Sequence, residues 1–242
     1  MNRKLDVGGT ISQIFSTYGA QASVLLPVAF AIFVVVAIVD AILAGNLVLV
    51  PLSFAVTVVA ATLYQGMVVG LVRDVQDGRR DSSVQDLIDA AWPVVLPLIG
   101  VAILAGIAIG IGILLFVVPG LILLTIWAVI APVIVVERTG VMDAFGRSRE
   151  LVRGNGWQVF GVIITVFLIA AVVSVVLSAI GASISDSLGI QIVFNLIAST
   201  LTAPITALAA ATLYFRLLAI EDDAATPEAP APPPPPPGPA PA

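Results

Sequence analysis

Cysteine and histidine are both absent from this chain of 242 residues, lysine occurs once, at Lys4, and only 10% of residues carry charge. The first two absences exclude disulfides, thiol catalysis, metal sites built on Cys or His, and imidazole acid–base chemistry. Scarce charge beside 60% hydrophobic residues and a mean hydropathy of +1.14 excludes a soluble globule, which needs far more polar surface. The chain must be solvated by lipid, and its length leaves no room for a separate soluble catalytic domain of typical size. A formal charge of −5 and the lack of a basic, aromatic stripe speak against nucleic-acid binding. There is also no Walker lysine motif, no GxGD pair and no Gly-x-Ser-Gly nucleophile turn. The expectation is a protein without enzymatic activity, cofactor or metal.

What the chain has is long apolar runs. About twenty apolar residues cross a bilayer as a helix, and candidate spans fall at 22–43, 47–72, 94–118, 121–136, 159–184 and 190–220. No charge interrupts 94–136, which as one straight helix would be roughly 65 Å long, about twice the hydrocarbon thickness. It must fold back, and Pro119-Gly120 is the expected turn, because Pro lacks a donor and Gly tolerates tight backbone geometry. The other turns, at 44–46 and 185–189, are equally short. The fold expected is all-α and polytopic, six spans arranged as three antiparallel hairpins.

Charge of one sign is confined to alternate connections. Arg3 and Lys4 precede the first run, and Arg73, Arg79 and Arg80 follow the second; Arg138, Arg147, Arg149 and Arg153 follow the fourth, and Arg216 ends the sixth. Lys and Arg are retained on the cytoplasmic face during insertion, so this distribution implies a bacterial inner-membrane protein with both termini cytoplasmic. The polar stretch between Lys4 and the first run is too long for a signal peptide, and the first span is expected to be retained.

Before each expected hairpin lies a segment with apolar residues at i, i+3, i+4 and i+7: Ile11, Ile14, Phe15 and Tyr18; Val84, Leu87, Ile88 and Ala91; Val141, Ala144, Phe145 and Ser148. Thr10-x-x-Gln13 and Ser82-x-x-Gln85 supply capping signals for the first two. Short amphipathic helices of this kind lie in the headgroup region, with Tyr18, Trp92 and Trp157 as interfacial aromatics. Two echoes suggest an internal repeat: 24–27 beside 94–97, and Ala60-Ala61-Thr62-Leu63-Tyr64 beside Ala210-Ala211-Thr212-Leu213-Tyr214. From 221 to 242 the composition turns acidic and proline-rich, which predicts a disordered cytoplasmic tail.

The densest polar segment runs from Asp143 to Trp157. Helical spacing allows Asp143 to pair with Arg147 and Glu150 with Arg153, leaving Arg149 free for anionic headgroups. The other reading of these arginines is topology and loop packing alone. The pattern Pro132-x4-Glu137, then Ala144-x-x-Arg147-Ser148-x-x-Leu151-x-x-Gly154-x-x-Trp157, resembles the membrane domain found beside bacterial glycerophosphoryl diester phosphodiesterases, and related polytopic membrane proteins of uncharacterised function. The resemblance implies a helical membrane domain without chemistry of its own. The phosphodiesterase domain needs paired histidines, which this chain lacks.

Gly66 and Gly70 in the second span, and Ala102, Gly106 and Gly110 in the third, offer small-residue stripes for helix packing within the chain or in a homodimer. Asp40, a turn from the end of the first span, is expected to snorkel outward. Together these features predict a scaffold or accessory protein whose cytoplasmic rim contacts anionic lipid or another membrane protein. Arg147, Arg149 and Arg153 are its contact candidates and Trp157 its anchor. The alternative is a small transporter or channel, which requires polar groups converging among the hairpins.

Overall fold

The computed structural model describes residues 4–43, 47–76 and 92–225, and every regular element among them is helical. The α-helices are α1 (Val7–Leu43), α2 (Val50–Gln76), α3 (Val95–Leu115), α4 (Val117–Ile126), α5 (Ile130–Glu137), α6 (Val141–Val152), α7 (Gly156–Ile184) and α8 (Leu188–Ala225). Six stretches are long and apolar enough to cross a membrane: α1, α2, α3, the α4–α5 unit, α7 and α8. Consecutive spans pack together, α1 on α2, α3 on α4, and α7 on α8, while α8 also runs along α1 and α2.

The short helix α5 is the central element. Apolar on all sides, it buries every residue from Ile130 to Val135, packed among α2, α3, α6 and α8. A helix without a polar face can meet either protein or lipid, and α5 meets protein. By contrast, Val172 and Val175 of α7 are 61% and 67% exposed, as side chains meeting lipid tails should be.

Several boundaries differ from expectation. The chain reverses at Phe116, whose backbone is extended, rather than at Pro119-Gly120. Pro119 is accommodated in the first turn of α4, where a missing amide costs nothing. Gly120 serves close approach instead. A methyl on Gly120 would meet the Ile113 backbone nitrogen at 2.7 Å, and one on Gly112 would meet Gly120 Cα at 3.0 Å. The fourth span is two helices, α4 and α5, separated at Trp127–Val129.

The first amphipathic segment is not a separate helix, since Ile11 to Tyr18 continue into the span as one element of 37 residues. Gly19, between them, does not interrupt the helix, and Pro27 is also carried inside α1. The third segment does form its own helix, α6, while the second, at 84–91, lies outside the described residues. At the other end α8 continues to Ala225, past the expected start of the tail at 221; residues 226–242 also lie outside the described set.

Candidate functional site

α5, α6 and α8 converge around one guanidinium group. From the middle of α6, Arg147 Nε donates to both oxygens of Glu137 at 3.1 and 3.2 Å, while Nη1 and Nη2 donate to the two oxygens of Glu221 at 2.8 and 2.7 Å. The Tyr214 hydroxyl donates to Glu137 Oε1 at 3.0 Å, completing a four-residue network. The fork of donors on Arg matches two carboxylates at once, which the point charge of Lys cannot do. Hydrogen bonds to Glu221 and then to Glu137 push the Arg147 pKa above its ordinary value against the opposing effect of burial. Side-chain exposures of 25% for Arg147 and 23% for Glu137 limit solvent screening of that pair, whereas Glu221, at 43%, is screened more.

The same end of the molecule is tied at two more points. Arg216 near the end of α8 donates to Gln13 Oε1 at 2.7 Å and to the Gly9 carbonyl at 2.9 Å, fastening α8 to the start of α1. Buried Asn155, between α6 and α7, accepts the Leu5 amide at 3.0 Å. Gly154 precedes it with φ of +89°, a left-handed turn that side chains disfavour.

The break between α4 and α5 is closed by α6. At the break the Ile130 amide bonds Trp127, leaving the Ile126 carbonyl without its helical partner. Ser148, fully buried, donates its hydroxyl to that carbonyl at 2.9 Å. Phe145 meets Trp127 edge to face at 4.8 Å between ring centroids. An unpaired buried carbonyl costs on the order of 1–3 kcal/mol, so Ser148 stabilises the discontinuity.

The expected site residues therefore divide. Arg147 is occupied internally, and its partners are Glu137 and Glu221 rather than Asp143. The pair Glu150–Arg153 is not formed; Arg149 and Arg153 are exposed and make no ion pair among the described residues. Both line a depression of ≈ 590 Å³ with Glu150 and Gly146. It adjoins a second, of ≈ 580 Å³, lined by Lys4, Leu121, Ile122, Trp157 and Phe160. Ile126, Gly154 and Gly156 belong to both. Trp157 is 85% exposed and stacks edge to face with Phe160.

Among the packing candidates, Gly66 is buried and Gly70 half-buried in α2. Ala102 is half-buried, but Gly106 and Gly110 are exposed, and a methyl on either would meet nothing within 4 Å. The close contact of α3 with α4 uses Gly112 and Gly120 instead. Asp40 accepts a hydrogen bond from Ser53 of α2. Sequence reasoning missed the joining of Glu137, Arg147, Glu221 and Tyr214. Its available signal was Glu137 at the end of an otherwise uncharged stretch, a carboxylate in need of a cation.

Over 98 residues the chain is 38% identical to a UPF0259 membrane protein of Pectobacterium carotovorum subsp. carotovorum (strain PC1), covering 40% of this chain and 38% of that relative. The chain is a multi-pass membrane protein. It spans about two fifths of the length of the curated relative it matches. No family model matches the chain, and no solved structure matches it. The matched relative is named as a membrane protein, and this match does not show the phosphodiesterase-linked name.

Proposed function

We propose that this multi-pass protein is a non-enzymatic accessory or scaffold protein of the bacterial inner membrane, with its basic end cytoplasmic and in contact with anionic lipid headgroups. The observation that carries this reading is the division among the arginines. Arg147 and Arg216 hold helices together, whereas Arg149 and Arg153 stand exposed without a carboxylate partner among the described residues. Juxtamembrane guanidinium groups of this kind attract phosphate headgroups at about 1 kcal/mol each. The one-sided placement of basic residues in the sequence supports the cytoplasmic assignment.

A transporter is the competing reading, and the α4–α5 discontinuity is the feature that favours it, because broken helices offer free carbonyls to ions. Here the freed Ile126 carbonyl accepts from Ser148, and the Thr125 hydroxyl donates to the Leu121 carbonyl. A depression of ≈ 390 Å³ between α1 and α2 has only apolar lining residues, such as Ile32, Val36, Val59 and Leu63. The Ile126 carbonyl is thus capped, and the second place offers no polar group.

The test is charge reversal in the full chain, Arg149→Glu with Arg153→Glu, followed by native mass spectrometry of bound phosphatidylglycerol after mild delipidation. Retention should fall by at least about thirtyfold, the factor for two lost attractions of this size before the repulsion from the new carboxylates is added. Unchanged retention in a correctly folded variant would remove the reading.

A further inference from the structure

The two adjoining depressions together have the chemistry of a single glycerophospholipid. We infer that they form one lipid-binding groove between α4, the end of α6 and the start of α7, which seats an anionic phospholipid with its phosphate at Arg149 and Arg153 and an acyl chain along α4. This inference rests on the proposed lipid contact and narrows it from a charged surface to a specific site.

Three observations carry it. The depressions adjoin, since Ile126, Gly154 and Gly156 line both, and each volume falls within the roughly 300–1,000 Å³ usual for ligand sites. Their chemistry is graded. The end formed by α6 carries Arg149 and Arg153 with one acidic residue, Glu150, and Lys4 adds a third cation to the adjoining half. That half is otherwise walled mainly by Val118, Leu121 and Ile122 from α4 and by Phe160 from α7, with Thr125 and Gln158 as its uncharged polar residues. A surface serving charge attraction alone has no use for an apolar slot beside its arginines, and an acyl slot for lipid tails alone has no use for three cations.

The third observation is the construction of the junction. Gly154 and Gly156 bring no side chain to the boundary between the two halves, and φ of +89° at Gly154 disfavours replacement by a larger residue. Buried Asn155 between them is fixed to the Leu5 amide, which holds the segment bearing Lys4 beside the groove. Trp157, 85% exposed at its edge, fits the glycerol level, where indole is favoured in membranes. The net cationic lining selects an anionic phosphodiester over a zwitterionic headgroup.

The deciding experiment uses the full chain in nanodiscs containing phosphatidylglycerol that bears a diazirine in one acyl chain, with photolabelled residues mapped by mass spectrometry. Labelling should concentrate on Leu121, Ile122 and Phe160 and should fall by at least about thirtyfold in Arg149→Glu with Arg153→Glu. The same probe built on phosphatidylcholine should label them weakly. Ile122→Trp, at a position 55% exposed, fills the slot without touching charge, and it should abolish this labelling while surface attraction to phosphatidylglycerol vesicles persists.

Labelling spread evenly over lipid-facing residues such as Val172 and Val175 would overturn the groove, even if charge reversal still weakened lipid retention and so upheld the broader reading. Equal labelling by the two lipids would overturn the headgroup selection. Loss of neither labelling nor retention on charge reversal would remove both proposals. The map on the unmodified chain decides the matter should Ile122→Trp fail to fold.

Discussion

Arg147 illustrates why side chains of one type in one segment acquire different roles. Two residues away, Arg149 has the same chemistry, yet only Arg147 lies between carboxylates from α5 and α8. Arg147→Ala would leave Glu137, at 23% side-chain exposure, with the Tyr214 hydroxyl in place of a cation. A loss of about 2 kcal/mol is expected, from charge-assisted hydrogen bonds discounted for partial exposure. Arg147→Lys should recover less than half of it, because an ammonium group cannot bridge both carboxylates in fork geometry. Unfolding of the reconstituted variants by titration with sodium dodecyl sulfate measures both. Arg149→Ala, without a partner among the described residues, should leave the same curve within about 0.5 kcal/mol.

At the scale of elements, glycine position separates packing from pattern. Gly110 and Gly120 occupy neighbouring helices of similar composition, and sequence reading favoured the first as a contact and the second as a turn. The structure reverses this: α3 and α4 approach at Gly112 and Gly120, while Gly110 faces open space. Gly120→Ala forces a methyl against the Ile113 backbone and should destabilise the fold by about 3 kcal/mol, the upper range for overpacking. Gly110→Ala should be neutral or stabilising by about 0.5–1 kcal/mol, since Ala is the better helix former. Thermal unfolding in detergent with a tryptophan readout distinguishes the two. The same scale explains α5. Its separation from α4 is possible because Ser148, on a different helix, supplies the hydrogen bond that the break removes.

For the whole molecule, the prediction concerns sidedness. The chain contains no cysteine, so single introduced thiols can be labelled without background. Met142→Cys, at an exposed position 73% accessible in α6, should react with an impermeant maleimide only after the inner membrane is opened. Ser187→Cys, in the turn between α7 and α8, should react in intact spheroplasts. The opposite result would place the basic end outside and remove the proposed cytoplasmic lipid contact.

The sequence by itself determined the solvent and the number of crossings. Apolar runs of sufficient length, with almost no charge within them, can be satisfied only as helices in lipid, because lipid offers no partners to open backbone. It also carried the segment from Asp143 to Trp157 as the place of greatest polar density. Tertiary structure alone decided which polar groups meet. Arg147 is 74 residues from Glu221 and Glu137 is 77 from Tyr214, and the local i, i+4 rule pointed Arg147 toward Asp143 instead. That rule describes an isolated helix surface, whereas α6 is packed against α5 and α8, whose carboxylates offer better geometry. Composition likewise cannot say which glycine faces a neighbour, since helix rotation is set by the surrounding bundle. Packing therefore left Arg149 and Arg153 exposed, and placed their cationic groups beside an apolar wall of α4.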